Sequence, residues 1–201
     1  MKGKFWKVTL VLLLCASLVS CGGAPSSSEG IHSFRIGNTQ DIDTLNPLTS
    51  ELTIGFEIFL LIYDPLVRYD ENYEPVGCLA ESWDVSEDGL TWTFNLREGV
   101  LWHDGEPFTS EDVKFTYDTM IEHEQGFMYN TYLAGITDIE CPDEKTVVIT
   151  TDAPKANMLM NTTPILPKHI WGEIAPEELG LYTNESPVGT GPFKFDSRSP
   201  G

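Results

Sequence analysis

Residues 79–118 read LAESWDVSEDGLTWTFNLREGVLWHDGEPFTSEDVKFTYD, and the reading of the whole chain starts there. Leu90, Trp92, Phe94 and Leu96 alternate with Thr91, Thr93, Asn95 and Arg97, the period-2 pattern of a strand with one apolar face. Trp83 and Val85 repeat the alternation upstream. Between the two runs, Glu87-Asp88-Gly89 supplies a turn whose glycine can take a positive φ. The pair predicts a β-hairpin. Asp104-Gly105 marks a second turn after the short apolar run Val100-Leu101-Trp102, and Pro107 closes off any further strand. Thr109 offers a side-chain oxygen to the free amides of a helix start, and Asp112 three residues on can reach back to it. Val113, Tyr117 and Met120 then share one helical face. Hairpin, loop and capped helix place the chain in the α/β class, with mixed α and β sheets.

The same forty residues resemble the signature region of the bacterial extracellular solute-binding proteins of family 5, the dipeptide- and oligopeptide-binding components of ABC importers. Further stretches carry the resemblance: Leu45-Asn46-Pro47 with Thr49, Ser50 and Thr53 after it, the passage Leu61 to Asp70, the segment PILPKHIW at 164–171, and SPVGTGPFKF at 186–195. The resemblance implies a periplasmic-binding-protein-like fold of type II, with this chain as an incomplete first lobe. Residues 51–164 are expected to form a family-specific subdomain, and the second lobe is expected to be absent. It also implies capture without chemistry: a receptor that takes up extracellular peptides and hands them to membrane permease subunits, with no cofactor. The same family scaffold serves nickel complexes, haem and sugars, which keeps a non-peptide solute open as the alternative.

In the family, the loop after the first strand lies at the ligand cleft, so the resemblance makes Thr49, Ser50 and Thr53 the expected ligand-binding residues. In an open α/β sheet ligands sit beyond the carboxyl ends of strands, which agrees. The same hydroxyls can instead cap the next helix, whose expected face is Ile54, Ile58 and Leu61. Both readings stand, separately or together. The family's charged anchors for peptide termini lie largely in the portion missing here and are not carried over. The glycines of Val188-Gly189-Thr190-Gly191-Pro192 are expected to take backbone conformations barred to other residues. They do not have the G-x-x-x-x-G-K-[ST] spacing of a phosphate loop.

Met1 to Ser20 reads as a targeting segment. Lys2, Lys4 and Lys7 precede the apolar run Val8 to Leu14, which is too short to span a bilayer. Leu18-Val19-Ser20-Cys21 resembles a lipobox, so Cys21 is the expected lipidation site and the protein is expected at the extracytoplasmic face of the cell membrane, held by acyl chains. Ordinary signal cleavage near Ala16 is the competing reading. Residues 21–30 form a Gly/Ser-rich tether, and 31–201 form the folded part. There His32 to Gly37 reads as a short first strand, Asn46-Pro47 as a turn and Glu74-Pro75 as the opening of a loop. Glu122 to Asn130 reads as a helix end with an exposed loop. Ile136–Glu140 and Thr146–Thr150 form a second hairpin around 142–145, and Ala156–Met160 a short helical piece.

The formal net charge of −19 opposes binding to nucleic acid or to anionic lipid headgroups, because the field repels phosphate. Among the four cysteines no Cys/His spacing suits zinc. Cys78 and Cys141 can pair in an exported protein, and two separate thiols is the favoured reading. A secreted hydrolase is the rival class. Asp104 with Glu106, or Glu122 with Glu124, are its paired carboxylates, and each pair reads as solvated surface. His103 reads as a turn histidine bonded to nearby backbone. His32, His123 and His169 have no H-E-x-x-H spacing, and no G-x-S-x-G elbow is present.

Overall fold

The computed structural model describes residues 34–199. The targeting segment, Cys21 and the tether lie outside the described residues. In chain order, helix α1 (Thr53–Ile62) is followed by strands β1 (Val67–Tyr69) and β2 (Pro75–Gly77), then by β3 (Ala80–Val85) and β4 (Thr91–Leu96). Helix α2 (Ser110–Glu122), the one-turn helix α3 (Asn130–Leu133), β5 (Ile136–Asp143), β6 (Thr146–Thr151) and the short helix α4 (Lys168–Trp171) complete the described elements, with single 3-10 turns at Met158–Met160 and Pro176–Glu178.

The predicted hairpin is β3–β4, turning at Gly89 with φ +73°. It joins the second hairpin, β5–β6, in one antiparallel sheet of order β3-β4-β6-β5. Registers Trp83↔Phe94 and Phe94↔Val147 stack the apolar positions of three strands on one face. Trp92, Phe94 and Leu96 of β4 and Val147 and Ile149 of β6 are buried there. Helix α2 turns a complementary stripe inward, with Val113, Tyr117 and Met120 at most 1% exposed. Its start is the expected reciprocal cap, with the Thr109 amide donating to Asp112 Oδ2 at 2.9 Å. The sheet's outer strands lie at its two margins. Glu81 and Asp84 are exposed on β3; Asp138, Glu140 and Pro142 are exposed on β5, which carries two irregular registers. Charge, proline and bulges of this kind blunt a strand edge.

Several expectations change. Phe34 to Gly37 is irregular rather than a strand, and His32 and Ser33 lie outside the described residues. Glu74-Pro75 does not open a loop. Pro75 starts β2 opposite Tyr69, a sheet-margin position that tolerates a residue without an N–H. The loop comes earlier, at 70–74, where Asp70 Oδ1 accepts from the amides of Asn72 and Glu74. Helix α1 buries Gly55, Phe59 and Ile62 most deeply, and the expected Ile54, Ile58 and Leu61 only partly, Ile54 and Ile58 packing against the same core. It is apolar nearly all round (TIGFEIFLLI), so periodicity had no polar face to measure against. Ala156–Met160 contributes only a 3-10 turn. The favoured reading of the cysteines stands: Cys78 and Cys141 are both free thiols, and burial pushes the Cys78 thiol up to about 12. Because the sheet is wholly antiparallel, the rule placing ligands beyond parallel strand ends does not apply to it.

Candidate functional site

The loop that carries Thr49, Ser50 and Thr53 is pinned from within by Asp43. Ser50 Oγ donates to Asp43 Oδ1, and the amide of Glu51 donates to Asp43 Oδ2, both at 2.8 Å. Partial burial pushes the Asp43 carboxyl up, but the Glu51 amide and the Ser50 hydroxyl outweigh it and hold the group below the ordinary carboxylate range. Ser50 is buried with its hydroxyl engaged, Thr49 is half-buried, and Thr53 is exposed as the first residue of α1. None of the three caps that helix. The preceding position is Leu52, and no side-chain bond is made there.

Two buried asparagines fasten this loop to the far end of the chain. Asn46 Nδ2 donates to the carbonyls of Leu179 and Tyr182, each at 2.8 Å, while its Oδ1 accepts from the Leu48 amide. Asn184 Nδ2 donates back to Leu45 O at 2.7 Å and to Tyr63 Oη at 2.9 Å. Asn46 thus engages both ends of its amide, and Asn184 both hydrogens of its Nδ2.

The GTGP segment runs under the C-terminus of α1. The amides of Gly191 and Phe193 donate to Ile62 O and Leu61 O at 2.8 and 3.0 Å, satisfying carbonyls that a helix end leaves without partners. Neither Gly189 nor Gly191 has a positive φ. Their requirement is space, since a Cβ on either would run into the Ile62 backbone. His103 bonds backbone far away in sequence rather than nearby: Nε2 lies 2.8 Å from Gly191 O, and Nδ1 accepts from the Gly189 amide at 3.2 Å. Beyond this segment Arg198 donates to Ile42 O at 2.7 Å and lies 3.5 Å from Asp41. The loop at 43–45, the turn at 183–185, Phe195 and Arg198 enclose a hollow of about 400 Å³. Two carboxylates, one guanidinium and an aromatic ring line it, a set suited to holding a polar solute.

The four carboxylates Asp104, Glu106, Glu122 and Glu124 are all exposed. Asp104 bonds His169 Nε2 at 2.8 Å, a partner that spacing alone did not suggest. That contact lies beside Glu111–Lys168 at 2.9 Å; the first ties α4 to the turn at Asp104-Gly105 and the second ties it to α2. Among the described residues no group of three His, Cys, Asp or Glu side chains is placed to hold a metal.

The model for "Bacterial extracellular solute-binding proteins, family 5 Middle" matches residues 74–201. The chain belongs to this family. A putative ABC transporter peptide-binding protein of Brucella abortus is 42% identical over 180 residues, covering 86% of this chain and 34% of its own. Among solved structures, the oligopeptide-binding protein AppA of Bacillus subtilis with a nonapeptide aligns with TM-score 0.72 and 27% identity, over 83% of this chain and 34% of AppA. NikZ of Campylobacter jejuni, in complex with Ni(L-His), aligns with TM-score 0.70 and 31% identity, over 80% of this chain and 32% of NikZ. The family 5 chain thus has the type II periplasmic-binding-protein-like fold, mixed α and β, and spans about a third of the length of the curated relatives it matches.

Proposed function

We propose that this chain is the first-lobe portion of a solute-binding receptor for an ABC importer, capturing peptides outside the cytoplasm and delivering them to a membrane permease. The observation that carries this reading is the alignment of most of the chain with the nonapeptide-bound AppA. The 42% identity to a protein named as peptide-binding adds to it. Capture would follow from two lobes closing on the solute, with Thr49, Ser50 and Thr53 on the loop facing it. Residues 51–164 would form the subdomain particular to the family, and the opposing lobe would come from chain beyond these residues. The protein would act by binding, not turnover. Cys21 would carry the acyl anchor; among the described residues no helix is long and apolar enough to cross a membrane.

Likeness to NikZ in complex with Ni(L-His) favours a second reading, a metal complex as the solute. Calorimetry on the native gene product, purified from its own cells after its intact mass is measured, separates the two. Saturable heat with mixed oligopeptides and none with nickel–histidine supports the peptide reading; the reverse supports the second. Recovery of cleaved peptide would instead favour a hydrolase and end the receptor reading. For the anchor, Cys21→Ala is expected to move the protein from the membrane to the soluble fraction, and continued membrane retention would refute it.

A further inference from the structure

The contacts of His103 select one protonation state. Gly191 O can only accept, so Nε2 must carry a proton. The Gly189 amide can only donate, so Nδ1 must present its lone pair. One species satisfies both, the neutral imidazole with its proton on Nε2. The Gly189 peptide is held on every side: its carbonyl accepts from the His103 amide at 2.8 Å, its N–H points at Nδ1, and its α-carbon lies against Ile62 with no room for a methyl. A proton added at Nδ1 sets two donors against each other and removes that bond.

We propose that His103 is a proton-operated latch: neutral, it clasps residues 188–194 against the end of α1, and protonated, it lets that strap lift. The charged groups around it do not provide a substitute. Lys194 Nζ donates to His103 O at 2.7 Å and opposes a second positive charge beside it. Asp104, the next residue, already bonds His169 at 2.8 Å. From the α1 side, Asp64 reaches the strap through its backbone amide, 3.4 Å from Thr190 Oγ1. The strap leads to Phe195 and Arg198, two walls of the hollow beside Asp43, so its lifting would loosen chain adjoining that hollow, while Arg198 keeps its own bond to Ile42 O.

Hydrogen exchange on the full chain tests this. Protection factors, corrected for intrinsic exchange, are read at Gly189, Gly191 and Phe193 between about pH 7.5 and about pH 5, where imidazoles change charge. Loss of one net bond predicts about a tenfold fall at these amides in acid. His103→Asn keeps an acceptor for Gly189 without titrating, and should flatten the response; His169→Asn should preserve it. Nitrogen-15 shifts of the wild-type imidazole at neutral pH supply a reading that needs no variant. Protonation found on Nδ1, protection unchanged while the imidazole titrates, or the same fall in His103→Asn would each overturn the latch.

Discussion

The four-stranded sheet and the loop-wrapped end around α1 are held by bonds of different reach. In the sheet, each hairpin pairs residues close along the chain, and α2 packs over them through a stripe that one short segment supplies. At the other end, Asn46 reaches across 133 and 136 residues, Asn184 across 139 and 121, and His103 across 86 and 88. The sheet is two local hairpins joined through the β4–β6 ladder, Thr91↔Thr150 to Asn95↔Thr146, and stabilised by apolar area. The end that bears residues 43–53 is a non-local one, in which single polar side chains satisfy backbone groups contributed by distant parts of the chain.

Substitutions in each region test the contrast, by whether the loss stays in one region or spreads to both. Phe94→Ala, in the middle of the sheet and 2% exposed, should cost about 3–5 kcal/mol and collapse both regions together, seen as one coincident transition in denaturant by near- and far-ultraviolet dichroism. Asn46→Ala orphans the carbonyls of Leu179 and Tyr182 and should cost about 2–3 kcal/mol. Its effect should be regional: amides of 41–52 and 179–184 lose exchange protection while those of β4 and β6 keep theirs. Equal loss in the sheet would end the distinction. Gly191→Ala forces the strap off Ile62 and should cost about 1–3 kcal/mol, again with the sheet spared. Thr109→Ala removes one half of the α2 cap, and urea titration should find about 1 kcal/mol less stability.

The smallest effect is a pH dependence. The Asp43 carboxyl is held below its unfolded value, so its contribution to stability is present above the ordinary carboxylate range and is lost as pH falls through the folded value. Asp43→Asn should therefore melt earlier than wild type at neutral pH, and the gap should close below about pH 4. A gap that stays constant into acid would show that the Asp43 charge does not tie the loop.

This difference in reach also explains what the sequence made legible. Alternation at 90–97, the Gly89 turn and the Thr109–Asp112 cap are local patterns, and each appears in the structure where it was read. The family resemblance extended the same reading to the fold. The site was less legible because its determinants are relations between distant residues. Nothing about Asn46 in its own neighbourhood points to Leu179, and nothing about His169 points to Asp104. Gly189 and Gly191 were legible as constrained positions but for the wrong reason, because crowding against α1 leaves no trace beside them in sequence. Helix α1 failed differently, its all-round apolar surface giving periodicity nothing to resolve.

The acidic and irregular outer strands of the sheet have a consequence for the protein as a colloid. Two molecules brought margin to margin present Glu81 and Asp84, or Asp138 and Glu140, to a like-charged partner, while Pro142 withholds a donor from any foreign strand. With a formal charge of −19 and a sequence pI near 4.3, that repulsion is strongest in dilute neutral buffer and weakens as salt screens it or as acid neutralises the carboxylates. A concentrated stock is therefore expected to stay clear at neutral pH and to turn cloudy on dialysis into mildly acidic, salty solution, which light scattering would read.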